Sequence, residues 1–179
     1  METNVLIRLA KPEDYEAASA IAAEGQAIHA EALPHIFART DGALPQEYFE
    51  SLLESETRRM LVAELDGRVV GYAVIERKEA PPYEAFVSRR VAYILDFGVA
   101  ESHQRQGIGR RLFQACVLWA KDHGASAVEL NVFAFNERAI RFYESLGMET
   151  LSLRMTMKLN KESGVGAPTV SFDCFPPSR

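Results

Sequence analysis

A chain of 179 residues, 47% of them hydrophobic, is long enough for one domain with a sizeable core. Its 25 acidic against 20 basic residues leave a formal net charge of −5, which argues against a general nucleic-acid binder, since those are usually basic. No apolar run approaches the ~20 residues that span a bilayer, the first residues lack a basic-then-apolar leader pattern, and Cys116 and Cys174 belong to no CxxC or metal-like cluster. The expectations are a cytoplasmic protein with no membrane, nucleic-acid or metal partner.

In chain order, Val5 to Leu9 reads as a first strand, and Pro12-Glu13-Asp14 opens an alanine-rich helix running to about Phe37, with Gly25 a candidate break. Leu44 to Leu53 has the period of a second amphipathic helix. Met60–Glu64 and Arg68–Glu76 form a hairpin around Asp66-Gly67, the strongest short turn signal in the chain. A polar loop containing Pro81-Pro82 leads into an apolar strand from Val91 to Val99. The helix that follows places Ile108, Leu112, Cys116 and Trp119 on one face and stops at Gly124. A strand over Ala127–Val132 precedes a helix with Asn136 as N-cap, an i,i+4 pair between Glu137 and Arg141, and Gly147 as its stop. A last strand is expected from Thr150 to Leu159, closing a domain over 1–160. Antiparallel strands followed by strand–helix–strand predict an α+β, mixed α/β sheet with helices on both faces. The tail over 161–179 has no helical pattern; it reads as disorder, or as an added strand or subunit contact through Val170, Phe172 and Phe175.

The chemistry concentrates at Gln104-Arg105-Gln106-Gly107-Ile108-Gly109-Arg110-Arg111, between the Val91–Val99 strand and the next helix. Glycines there let backbone approach a ligand closely, and the first helical turn offers unpaired N–H groups at the positive end of the dipole, so an anionic cofactor is the first hypothesis. A P-loop would need Gly-Lys-Ser/Thr where Gly109-Arg110-Arg111 stands, and a dinucleotide fingerprint would need a third Gly or Ala at Leu112. Neither motif fits.

Gln104-x-x-Gly107-x-Gly109 resembles the pyrophosphate-binding signature of the GNAT N-acetyltransferases, and Asn136-x-x-Ala139-x-x-x-Tyr143-x-x-x-Gly147-Met148 resembles the second cofactor segment of that family. The resemblance is best over Val91 to Lys158. It implies a central, mostly antiparallel sheet of six or seven strands, splayed where acetyl-CoA enters. Backbone groups of Phe97, Gly98 and Val99 would hold pantetheine and polarise the thioester carbonyl. The amides of Gln104, Arg105, Gln106, Gly107, Ile108, Gly109 and Arg110 would cradle the pyrophosphate, with Asn136 on the pantetheine side. Tyr143 would protonate the leaving thiolate, a modestly uphill transfer from a phenol near ~10 to a thiol near ~8.5.

Many relatives carry Glu-Asp late in this strand, whereas this chain has Leu95-Asp96; the base is then Asp96 or a chain of waters. By strict strand alternation Asp96 would share a face with Ile94 and Gly98. His29, Glu31 and Phe37 fall where the family builds its acceptor wall, and the 78–90 loop with Tyr83 and Phe86 would form the other lip. The implied activity is direct acetyl transfer, in a ternary complex, to the primary amine of a small molecule. The alternatives are a protein N-terminal or lysine acetyltransferase and a non-catalytic acyl-CoA sensor. A homodimer is common in the family.

Overall fold

The computed structural model describes residues 5–158. Five strands, β1 (Val5–Leu9), β2 (Arg58–Leu65), β3 (Arg68–Glu79), β4 (Arg90–Val99) and β5 (Ala127–Leu130), form one sheet in sequential order. The first four pair antiparallel and β5 joins β4 in parallel. Helices α1 (Tyr15–Ala32), α2 (Gln46–Glu54), α3 (Ile108–Asp122) and α4 (Glu137–Glu144) complete the compact unit, which extends to Gly147. No helix among the described residues is long and apolar enough to cross a membrane.

Helices cover both sheet faces, as the element order predicts. Ala18, Ile21 and Ala22 of α1 and Phe49 and Leu52 of α2 pack on Met60, Val62, Tyr72 and Val74. At nine residues α2 is too short to be stable alone. Burying Phe49 and Leu52 to 1% exposure contributes about 1.5–3 kcal/mol for each side chain. The opposite face packs Ile108 of α3 against Val5, Ala63 and Val70. Val70 reaches that face because the β2–β3 register passes from Ala63↔Gly71 to Glu64↔Val69, leaving Val70 unpaired in a bulge.

Several expectations need correction. The first helix ends at Ala32 rather than near Phe37 and runs unbroken through Gly25. The fifth strand stops at Leu130 rather than Val132. Among the described residues the sheet has five strands, not six or seven, because 150–158 form no strand. Leu151, Leu153, Met155 and Met157 alternate as a strand would, yet they are 76%, 83%, 90% and 80% exposed. Alternation specifies the faces of a strand, whereas a strand exists only where a ladder forms. The readings for Leu159 and the 161–179 tail lie outside the described residues.

One polar cluster ties the start of the chain to the sheet. Arg8 on β1 donates to both carboxylate oxygens of Asp14 at 2.7 and 2.8 Å and to Glu64 on β2 at 2.7 Å, while the Lys11 amide also donates to Asp14. Asp14 is only 4% exposed, and the hydrogen bonds from Arg8 hold its carboxyl below the ordinary carboxylate range. A depressed folded-state value gives stability that is present above the unfolded value, near ~4, and is lost as pH falls through the folded one. Asp14→Asn is expected to cost about 1.5–3 kcal/mol in urea unfolding at pH 7, with the gap to wild type closing below about pH 4. A gap that stays constant down to pH 2 would contradict this origin of the stability.

Candidate active site

The site begins where two strands part. Pairing between β4 and β5 runs only from Val91↔Ala127 to Ile94↔Leu130. Past that point β4 continues to Val99 on β3 alone, while the chain after Leu130 turns away. A cavity of ≈ 250 Å³ fills the wedge, lined by Tyr93 to Phe97 of β4, Leu130 to Phe133, Asn136, Ala139 and Tyr143, with His29 of α1 opposite.

A bulge sits at the parting. Ile75 pairs with Ile94 and Val74 with Asp96, so Leu95 is the extra residue. Ile94 and Asp96 consequently face opposite sides, which corrects the simple alternation expected for them. Asp96 turns to the α1 side, where the Tyr72 hydroxyl donates to Oδ2 at 2.6 Å and the Phe97 amide donates to Oδ1 at 2.8 Å. Burial first, and the charge of Asp96 second, hold the Tyr72 phenol far above its ordinary value, so it stays a donor. Asp96 is thereby a clamped acceptor. A cofactor carbonyl seeking the Phe97 amide would have to compete with it.

Tyr143 enters from α4. Its ring packs edge-on to Phe97 with centroids 6.1 Å apart, and at the same separation against Phe113 of α3. Burial, assisted by Cys116 and Asp96, raises its phenol above the ordinary value, so Tyr143 keeps its proton throughout the neutral range. Cys116 is itself fully buried, with its thiol pushed up to about 12, and is inert as a nucleophile. Asn136 caps α4 by accepting the Ala139 amide at 3.1 Å and lines the same cavity, two turns before Tyr143.

The two loop glycines answer different constraints. Gly107 is the N-cap of α3 with φ +82°, and a Cβ there would meet nothing within 4 Å. Its requirement is conformational, and it leaves open space above the first turn. The first intrahelical bond is Arg111 N–H to Gly107 carbonyl, which leaves the amides of Ile108, Gly109 and Arg110 unpaired within the helix. At Gly109 an added Cβ would lie 3.3 Å from Phe142 Cζ, so that glycine admits α4 rather than a ligand. Arg105, at φ +64°, holds a left-handed conformation rare for a side chain of its size.

The acetyltransferase (GNAT) family profile matches residues 26–148. The chain belongs to that family. An uncharacterized N-acetyltransferase of Archaeoglobus fulgidus is 30% identical over 100 residues, 56% of this chain, and the match spans 66% of the relative, just short of two thirds of its length. The L-amino acid N-acetyltransferase AaaT of Escherichia coli strain K12 is 28% identical over 156 residues, covering 82% of this chain and 84% of that one. Among solved structures, a tetramutant of the BH1408 protein of Bacillus halodurans superposes with a TM-score of 0.83 at 32% identity, over 86% of this chain and 99% of the other.

Within this GNAT fold the remaining candidates separate. Gln104 braces the loop: its Nε2 donates to the Val99 carbonyl at 2.8 Å and its Oε1 accepts from Arg138 of α4. Ile108 is 1% exposed, so only its backbone is available to a ligand. Arg105, Gln106 and Gly107 are exposed on the loop. Arg110 lies in a second groove of ≈ 480 Å³ between α3 and the end of α4, beside Phe113, Lys121 and Leu146. His29 and Phe37 meet, with ring centroids 5.3 Å apart, whereas Glu31 is exposed and does not line the cavity. Tyr83 and Phe86, 69% and 55% exposed, also stand outside its lining. Sequence reasoning missed Tyr72, Phe133 and Arg138. The first sits on a neighbouring strand 24 residues from Asp96, with no local signal; the other two adjoin the Asn136 motif. Gly107→Ala is expected to lose about 1–2 kcal/mol from backbone strain alone, measured by urea unfolding. Wild-type stability in that variant would overturn the left-handed cap.

Proposed function

We propose that the protein transfers the acetyl group of acetyl-CoA directly to the primary amine of a small molecule. The observation that carries this reading is the parting of β4 from β5 over a cavity that ends at the Tyr143 hydroxyl-bearing ring. The residues present suit acetyl-CoA. The unpaired first-turn amides of α3 and the open space at Gly107 suit a pyrophosphate, with Arg105, Arg111 and Arg138 as neighbouring charge. The edge of β4 at Phe97, Gly98 and Val99, which no strand covers, suits the pantetheine amides once the side chains of Asp96 and Gln104 yield the Phe97 amide and the Val99 carbonyl, with Asn136 across the wedge.

Each residue then has a task. Backbone N–H groups of that edge stabilise charge developing on the thioester oxygen. Tyr143, neutral because burial favours its protonated form, gives its proton to the departing thiolate. The thiolate forms in the same poorly solvated space, which raises its proton affinity too and keeps the transfer feasible. A cavity of ≈ 250 Å³, just below the ~300–1,000 Å³ usual for small-molecule sites, supports a compact acceptor over a polypeptide chain. The similarity to an L-amino acid N-acetyltransferase makes amino acids the first acceptors to try. A cytoplasmic homodimer is part of the same proposal.

Calorimetric titration is expected to give saturable binding of acetyl-CoA and none of NAD, followed by amine-dependent thiol release. Absence of acetyl-CoA binding would remove the proposal. Tyr143→Phe is expected to lower kcat about 10²-fold, as loss of a general acid does, with acetyl-CoA affinity within about twofold. Unchanged turnover in that variant would take Tyr143 out of its role.

A further inference from the structure

We propose that His29 is the proton acceptor for the incoming amine, an assignment that rests on the acetyltransferase reading above. Three observations meet at this side chain: a hydrogen-bond contact at Nδ1, a packed ring and a shared cavity. Its Nδ1 lies 2.8 Å from the Gly25 carbonyl, one turn back along α1. A carbonyl only accepts, so Nδ1 carries the hydrogen and the lone pair of the neutral ring resides on Nε2. Phe37, Phe133 and Phe135 surround the ring at centroid distances of 5.3, 5.6 and 5.4 Å, which sets its orientation by packing. His29 lines the same cavity as Asp96 and Tyr143.

The competing base is already committed. Both oxygens of Asp96 already accept hydrogen bonds, one from the Tyr72 hydroxyl and one from the Phe97 amide, so each is engaged before an amine arrives. Among the described residues, the other titratable groups lining the cavity are Tyr93 of β4, whose ring carries Lys78 Nζ 4.0 Å from its centroid, and Tyr143 of α4. The three phenylalanine rings packed on His29 and the Gly25 carbonyl carry no titrating group. A neutral imidazole, unlike a phenol, presents a basic nitrogen lone pair to an incoming N–H group.

The proton balance closes with these two residues. An alkylammonium, ordinarily near ~10.4, arrives protonated. The apolar rings disfavour its charge, and one N–H proton passes to His29 Nε2. The free amine attacks the carbonyl carbon, the C–N bond forms, and the C–S bond breaks with its electron pair on sulfur. Tyr143 protonates the thiolate, and the proton shed by the new amide nitrogen restores the phenol. His29 returns its own proton to solvent, so one proton is released per turnover.

The test uses the full chain with whichever of benzylamine, L-phenylalanine, L-methionine and spermidine releases thiol fastest. His29→Gln keeps a polar side chain of similar reach but no basic nitrogen. It is expected to lower kcat/KM at pH 7 by about 10²-fold or more, to lose the acid limb of the pH profile, and to bind acetyl-CoA within about twofold of wild type. Free imidazole is expected to restore part of the rate of His29→Ala. Half or more of wild-type kcat/KM in His29→Gln, with the acid limb unmoved, would overturn the assignment while leaving the acetyltransferase reading intact. Failure of wild type to bind acetyl-CoA would remove both. Nitrogen-15 spectra of the imidazole need no acceptor and test the tautomer independently: Nδ1–H with bare Nε2 supports the proposal, and the opposite tautomer contradicts it.

Discussion

Parallel pairing between β4 and β5 stops at Ile94 and Leu130, and the rest of the site depends on that short ladder. Beyond it, β4 keeps its antiparallel neighbour on one edge and has no strand on the other, where the side chains of Asp96 and Gln104 bond the Phe97 amide and the Val99 carbonyl. Such an edge is costly unless another strand, water or a ligand satisfies it. The bulge at Leu95 falls at the same point, so the strand changes face as it loses its neighbour. That reversal sends Asp96 toward Tyr72 and leaves Phe97 to meet Phe142 and Tyr143. The edge of β4 that no strand covers, the clamped carboxylate of Asp96 and the approach of Tyr143 to Phe97 thus follow from one interruption of the sheet.

Polar bonds then hold the wedge at a fixed opening. Gln104 joins the Val99 carbonyl to Arg138, linking the end of β4 with α4 across the loop. Gly109 lets Phe142 come close enough that α3 and α4 pack directly. Asn136 starts α4 at the cavity wall, so the tyrosine two turns later returns to the same cavity. Beside the cavity His29, Phe37, Phe133 and Phe135 pack as one aromatic set. This division places anion-seeking groups at one end of the wedge and apolar rings at the other, as a charged cofactor and a desolvated amine would each require.

Much of this was legible in the residues because it is local. The Asp66-Gly67 hairpin, the Asn136 cap, the Glu137–Arg141 pair and the Gly124 stop after α3 each depend on a few neighbouring positions. The element order also carried the mixed sheet with helices on both faces. What was not legible depends on tertiary pairing. A bulge is invisible to a rule of strict alternation, so Ile94 and Asp96 were expected on one face. Tyr72 reaches Asp96 only through strand pairing. The alternation from Leu151 to Met157 promised a strand because pattern specifies faces, whereas a ladder requires a neighbour. The purpose of Gly109 was likewise hidden, since it is set by a ring on α4.

If the gap between β4 and β5 is a thioester site, a crystal structure of the acetyl-CoA complex will show it most directly. The expected result is pantetheine amides bonded to the β4 edge between Phe97 and Val99, the pyrophosphate on the first-turn amides of α3, and the sulfur beside the Tyr143 hydroxyl. Acetyl-CoA bound elsewhere, or β4 and β5 zipped together beyond Leu130, would contradict it.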